Sequence, residues 1–174
     1  MKRSVRLWQL MGFAVTSFLG TLLHFLYEWT GGSAAVAPFS GVNESTWEHM
    51  KLLFWPMLVY AAIQQRFFRD DKAFWCVKLR GVLLGLVLIP LLFYTYNGVI
   101  GKSPDWINIG IFFIAAAAVY IFETCLFQKG TVPCKQSKLA VFLLLFIGVL
   151  FAVFTFFPSE IDIFKDPLSG AYGI

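Results

Sequence analysis

The chain has 174 residues, of which 59% are hydrophobic and only 14% charged, with 20 phenylalanines and a mean hydropathy of +0.73. Soluble domains carry roughly 45–50% apolar and about 25% charged residues, so this composition excludes an ordinary soluble domain and points to an integral membrane protein, a single domain over 1–174. The net charge of +4 is small, and the basic residues nowhere form a stripe with interleaved aromatics, which argues against nucleic acid as a partner.

Five segments have about the 20 residues needed to cross ~30 Å of hydrocarbon at ~1.5 Å per residue. In chain order they are approximately 7–27, 45–64, 79–96, 106–127 and 139–157, followed by a tail over 158–174. None shows the strict alternation of barrel strands. The expected fold class is therefore all-α, a bundle of five transmembrane helices.

Helix one contains His24 and ends at Glu28. Its apolar run is too long for the core of a cleaved signal peptide, and Pro38 follows the would-be cut at Ala35-Val36-Ala37, so the segment is expected to stay. The connection over 29–43, WTGGSAAVAPFSGVN, is long for a loop and carries no charge. It either dips back toward the polar groups around it or runs as a plain surface loop.

Helix two opens with VNESTWEHMK, residues 42–51, which sets two glutamates, a histidine and a lysine at the mouth of an apolar run. That run, Leu52–Ile63, covers only ~18 Å, so the helix must borrow residues from its polar end. Glu48, His49 and Lys51 then fall at or just inside the hydrocarbon boundary. His24, on the antiparallel neighbour, lies at the same depth, so His24 and His49 are expected to meet. Ionisable groups within a span cost at least a few kcal/mol each and mark a functional site by default. Structural roles compete with that reading. Ser45-Thr46-Trp47-Glu48 matches a capping box, Glu44 suits the helix dipole, Lys51 can snorkel, and Trp29, Trp47, Trp55 and Trp106 read as an interfacial belt.

Helix three carries Gly81 and Gly85, a GxxxG pattern that suits close helix packing or a homodimer, and ends in Tyr94, Tyr96 and Asn97. Pro56 and Pro90 fall inside helices two and three. Ser103-Pro104 reads as the cap and first proline of helix four, whose opening residues Asp105 and Asn108 lie beside the end of helix three. Tyr94, Tyr96, Asn97, Asp105 and Trp47 are the candidates for holding substrate. Glu123, near the far end of helix four, is expected to pair with Lys78 or Arg80. Pro158 closes helix five, and a turn is expected at 166–170, from which the tail either folds back as a lid or stays a surface segment.

The basic residues set the orientation. Lys2, Arg3, Arg6, Arg66, Arg69, Lys72, Lys78, Arg80, Lys129, Lys135 and Lys138 gather at one end, against Lys51, Lys102 and Lys165 at the other. Eleven against three places the N-terminus inside and the C-terminus outside. Cys76, Cys125 and Cys134 then lie at the cytoplasmic face, where thiols stay reduced.

His24, Glu28, Glu48 and His49 make a reasonable ligand set for a divalent ion, zinc foremost, with a position left for water. His24 and Glu28 share one helix face at i, i+4 spacing. Metal-bound water, with Glu44 or Glu48 as general base, would give a membrane hydrolase acting on a lipid or lipid-linked substrate. Without metal, the same groups suit a small transporter as a proton relay or a seat for a cationic solute. Transport needs polar residues further in, where the sequence offers few, Thr16, Ser17 and Tyr60, which favours a one-sided site over a through-going path. A scaffold subunit of a larger membrane complex is the third reading.

The stretch N-E-S-x-W-E-H (Asn43, Glu44, Ser45, Trp47, Glu48, His49) resembles that of a family of small bacterial membrane proteins of unknown function, and the closing DPLSGAYG is similar to the ending of that family. The resemblance runs the full length. It implies a multi-pass protein of the bacterial cytoplasmic (inner) membrane, in contact with membrane lipids, and supplies no activity.

Overall fold

The computed structural model describes residues 2–68, 71–101, 104–130 and 132–174, with the backbone alone at Lys2, Arg3 and Asp105. Five helices follow one another: α1 (Lys2–Trp29), α2 (Thr46–Gln64), α3 (Phe74–Val99), α4 (Asp105–Lys129) and α5 (Ser137–Phe156). Among the described residues there is no strand, and a single isolated bridge joins Lys165 to Tyr172. By length and composition α1, α3, α4 and α5 can each cross a membrane, so this is a multi-pass membrane protein. Every helix except α2 and α5 overruns both of its sequence-based bounds, α3 beginning at Phe74 rather than 79. Hydropathy marks only the residues that belong in hydrocarbon. A helix bonds its own backbone and continues beyond that layer without cost.

The helices α1, α2, α3 and α4 form a ring, each packed on the next, and α5 lies outside it against α2 and α3. Helix α2 is the common neighbour. Leu53, Phe54 and Met57 are buried within it, and so are Glu48 and Lys51. It is the one helix of the five without a span-length stretch as apolar as those of the others, and most of its residues are buried within the protein.

Glycines set the closeness of the ring. A side chain at Gly12 would collide with the rings of Tyr60 and Tyr120. One at Gly20 would meet Phe112 and the carbonyl oxygen of Leu52, the group that Pro56, lacking an N–H, cannot bond. At Gly81 it would strike the Glu123 carboxylate, and at Gly85 Leu53 and Val119. Within the chain, the GxxxG pattern thus packs α3 onto α4 and α2.

One end of the bundle holds His24 and His49; the other holds the cysteines. At the cysteine end two of the three thiols expected to be reduced, Cys76 and Cys134, are instead joined as a disulfide in this structure, and Cys125 is free. The first turn of α3 and the α4–α5 connection bring the two Cα atoms to 5.9 Å, within the usual range for such a bond. Lys78 and Glu123 pair as expected, at 2.6 Å and wholly buried, with the ammonium also near the rings of Phe74, Tyr120 and Phe127. The cap assigned to Ser103 lies outside the described residues, and Pro104 occupies the N-cap position of α4.

Candidate metal centre

Helix α2 starts where Ser45, in an extended conformation, lets its hydroxyl accept the Glu48 N–H at 3.4 Å. The reciprocal half of the capping box does not form. The Ser45 N–H goes instead to Asn43 Oδ1 at 2.9 Å, and the Glu48 carboxylate accepts the Val42 N–H at 3.0 Å and the Lys51 ammonium at 2.5 Å. Lys51 does not snorkel. It is wholly buried, and beside Glu48 its ammonium reaches Ala37 O at 2.7 Å and Thr155 Oγ1 at 2.9 Å. Three acceptors match the three donors of a lysine. The cause is the 29–43 loop, which folds inward with Ala37 and Ser40 fully buried and closes the route to water. Glu48 therefore locks the loop to α2 and, through Lys51, to α5. It does not reach the histidines, contrary to its assignment as ligand and base.

His49 points the other way, toward α1. Its Nδ1 lies 3.0 Å from the carbonyl oxygen of Ser45. A carbonyl only accepts, so Nδ1 carries the hydrogen, and in the neutral ring Nε2 keeps its lone pair. That Nε2 is 3.6 Å from one oxygen of Glu44, and His24 Nε2 is 3.5 Å from the other. The two ring centres are 5.7 Å apart. His24 and His49 meet, and the carboxylate between them is Glu44, which sits on the turn before α2 where no helical periodicity dictates its direction.

One ligand atom from each of His24, Glu44 and His49 lies within 4.8 Å of the others, and among the described residues this is the one such group of three. Tetrahedral zinc with bonds of ~2.0–2.1 Å holds neighbouring ligand atoms roughly 3.4 Å apart. Each Glu44 oxygen stands near that spacing from one ring, and with a single ligand atom taken from each residue no edge has more than about 1.4 Å to close. The Glu44 side chain is 36% exposed, so an ion arriving from water meets it first.

The loop also fixes the turn that carries His24. The Ser40 hydroxyl accepts the Tyr27 N–H and donates to Leu23 O, the two groups a regular helix would join directly, and the Gly41 N–H bonds the same carbonyl. Gly41 then rests against the His24 ring. Asn43 donates to Gly173 O at 2.9 Å, tying down the tail. The tail turns at Asp166, whose carboxylate accepts from the Leu168 N–H and the Ser169 hydroxyl while its N–H bonds Ala171 O, as the 166–170 turn requires.

The other assigned residues lie elsewhere. Glu28 is exposed one turn beyond His24 and outside the cluster. The Trp47 ring packs on Phe151, Phe154 and Phe164, and Trp55 donates to Pro38 O, so of the proposed aromatic belt Trp29 and Trp106 alone are exposed. Tyr94 bonds Thr46 and Asn97 bonds Phe93 O; with Tyr96 they line neither cavity at the histidines. Asp105 opens α4, and its side chain is outside the described residues.

Two cavities flank the cluster. A crevice of about 10 Å³ lies against Glu44, His49, Phe93 and Asn108. A larger one of about 170 Å³ lies between α1 and α4, with His24 and His49 in its wall beside Gly20, Thr21, Ile109 and Phe113. Sequence reasoning did not find these walls. The small or polar residues Gly12, Thr16, Gly20 and His24, spaced by four along α1, were the available signal.

Comparison with curated proteins and with solved structures finds no match in either. One family model matches the chain from end to end, residues 1–174, and the protein belongs to that family of unknown function, DUF6512.

Proposed function

We propose that His24, Glu44 and His49 bind a divalent cation, zinc foremost, and that the bound water hydrolyses a lipid or lipid-linked substrate at the outer face of a bacterial inner membrane. In this reading α2 is a fifth span, the N-terminus is inside and the C-terminus outside. One observation carries it: the Ser45 carbonyl holds His49 with its Nε2 lone pair toward Glu44 and His24. A partner on the second ring nitrogen is what orients most metal-bound histidines. Three protein ligands leave one position for water, and zinc lowers the pKa of that water to ≈ 7. No separate carboxylate base is then required, which suits a site where Glu48 is engaged by Lys51.

The test is metal analysis and thermal unfolding of the purified protein in detergent. Stoichiometric zinc is expected, with a stabilisation of ~2.7 kcal/mol at ~100 times its dissociation constant. His49→Ala abolishes both, and Glu28→Gln leaves both intact. If zinc, manganese, calcium and chelator all leave the melting temperature unchanged, the metal reading fails.

A transporter is the second reading, favoured by the inward continuation of polar groups. Thr16 bonds Tyr120 at 2.7 Å, and Gln9, Gln64, Lys78 and Glu123 are all buried deeper in the ring. A cation or proton flux into liposomes that Glu123→Gln stops, in a protein indifferent to metals, would put transport first.

A further inference from the structure

We propose that the 170 Å³ cavity between α1 and α4 seats one hydrocarbon chain of the substrate, which reaches the histidines sideways from the lipid. The inference rests on the lipid-directed hydrolase reading and names how that substrate is held.

The mouth of the cavity opens on membrane-facing surface. Both α1 and α4 are long and apolar enough to span, and Phe25, Ile109 and Phe113 at its rim are exposed. Its floor exists because Gly20 has no side chain: α1 approaches the carbonyl of Leu52 there, and Phe112 fills the space a Cβ would take. The walls are hydrocarbon apart from one end. The Thr21 hydroxyl is spent on Ser17 O, which leaves the two imidazoles as the polar groups facing the space.

That lining selects the occupant. Water in an apolar cavity needs two to four polar partners, and a polar solute would lose its hydrogen bonds on entering. A hydrocarbon chain loses nothing. An engineered apolar cavity of ~150 Å³ takes benzene, so this one has room for a stretch of roughly six carbons, with the rest of the chain in the bilayer. An amphiphile so placed presents the oxygen-rich start of its head group to His24, Glu44 and His49.

The experiment uses the full chain in nanodiscs with a palmitic acid analogue bearing a photoreactive diazirine about six carbons from the carboxylate. After illumination, adducts are mapped by peptide mass spectrometry. Adducts should concentrate on residues 20–25 and 109–113, in excess over lipid-facing positions such as Leu91 and Phe146. Thr21→Phe and Ile109→Trp fill the cavity from exposed positions; each should cut those adducts several-fold while leaving the zinc-induced thermal shift unchanged. Adducts spread evenly over all membrane-facing helices, or unchanged in both variants, overturn the proposal. So does efficient cross-linking of Ile109→Cys chains to one another with no adducts, which would put a second copy's side chain in the groove. Concentrated adducts in a protein that zinc does not stabilise keep the chain seat and remove the metal, so the two readings fail separately.

Discussion

At the scale of single residues, the seven-residue motif divides into two jobs. Asn43, Ser45, Trp47 and Glu48 hold the loop, the tail and α5 against the start of α2, while Glu44 and His49 face His24. The division predicts opposite phenotypes for neighbouring acids. Lys51→Met strands the Glu48 carboxylate in a buried site, and breaking a buried pair costs about 3–5 kcal/mol. The variant should unfold in detergent with a loss of that size, and the Lys51→Met/Glu48→Leu double variant should recover part of it. A loss below ~1 kcal/mol, as for an exposed pair, would show that Lys51 reaches water after all. Glu44→Gln should barely change the stability of the metal-free protein yet abolish the response to zinc. Choosing Glu44 over Glu28 and Glu48 was beyond sequence reasoning, because a residue on the turn before a helix takes its direction from the loop that precedes it.

At the scale of elements, the glycines of α3 are not equivalent. Gly81 lies against the Glu123 carboxylate, whereas a side chain at Gly98 meets nothing within 4 Å. Gly81→Leu should therefore cost at least the ~1–3 kcal/mol of an overpacked core and disturb the Lys78 pair, while Gly98→Ala should be neutral or stabilising by up to ~1 kcal/mol. Equal unfolding midpoints for the two variants would mean that α3 and α4 do not pack through Gly81. The existence of the helices was legible in the hydropathy, and the end of α5 in Pro158. The pairing of α1 with α2 and the bounds of α2 were legible too, but the partners of α3 were not, because GxxxG reads alike whether its partner is another chain or the next helix.

At the scale of the whole molecule, charge asymmetry and the disulfide bear on the same question. In the proposed orientation, which rests on eleven basic residues against three, the cysteine end lies in the cytoplasm, where disulfides are rare. A reporter that works only outside the cytoplasm, fused after Ile174, should be active, and rapid thiol trapping in intact cells should find Cys76 and Cys134 largely reduced, closing to a bridge after purification in air. An inactive fusion together with a bridge already formed in cells would reverse the orientation and move the histidines to the inner face.

Composition and hydropathy by themselves determined that this is a helical membrane protein, because only an internally bonded backbone survives in lipid and only apolar side chains face it. They also brought His24 and His49 to one depth, since depth is a count of residues along each helix. The loop decided the rest. Folding inward, the 29–43 segment buries Lys51, takes Glu48 for its own backbone and leaves Glu44 to the histidines. Hydrogen bonds between residues far apart in the chain carry no periodic signal, so only the tertiary structure could say which carboxylate meets the imidazoles and on which side a cavity opens beside them.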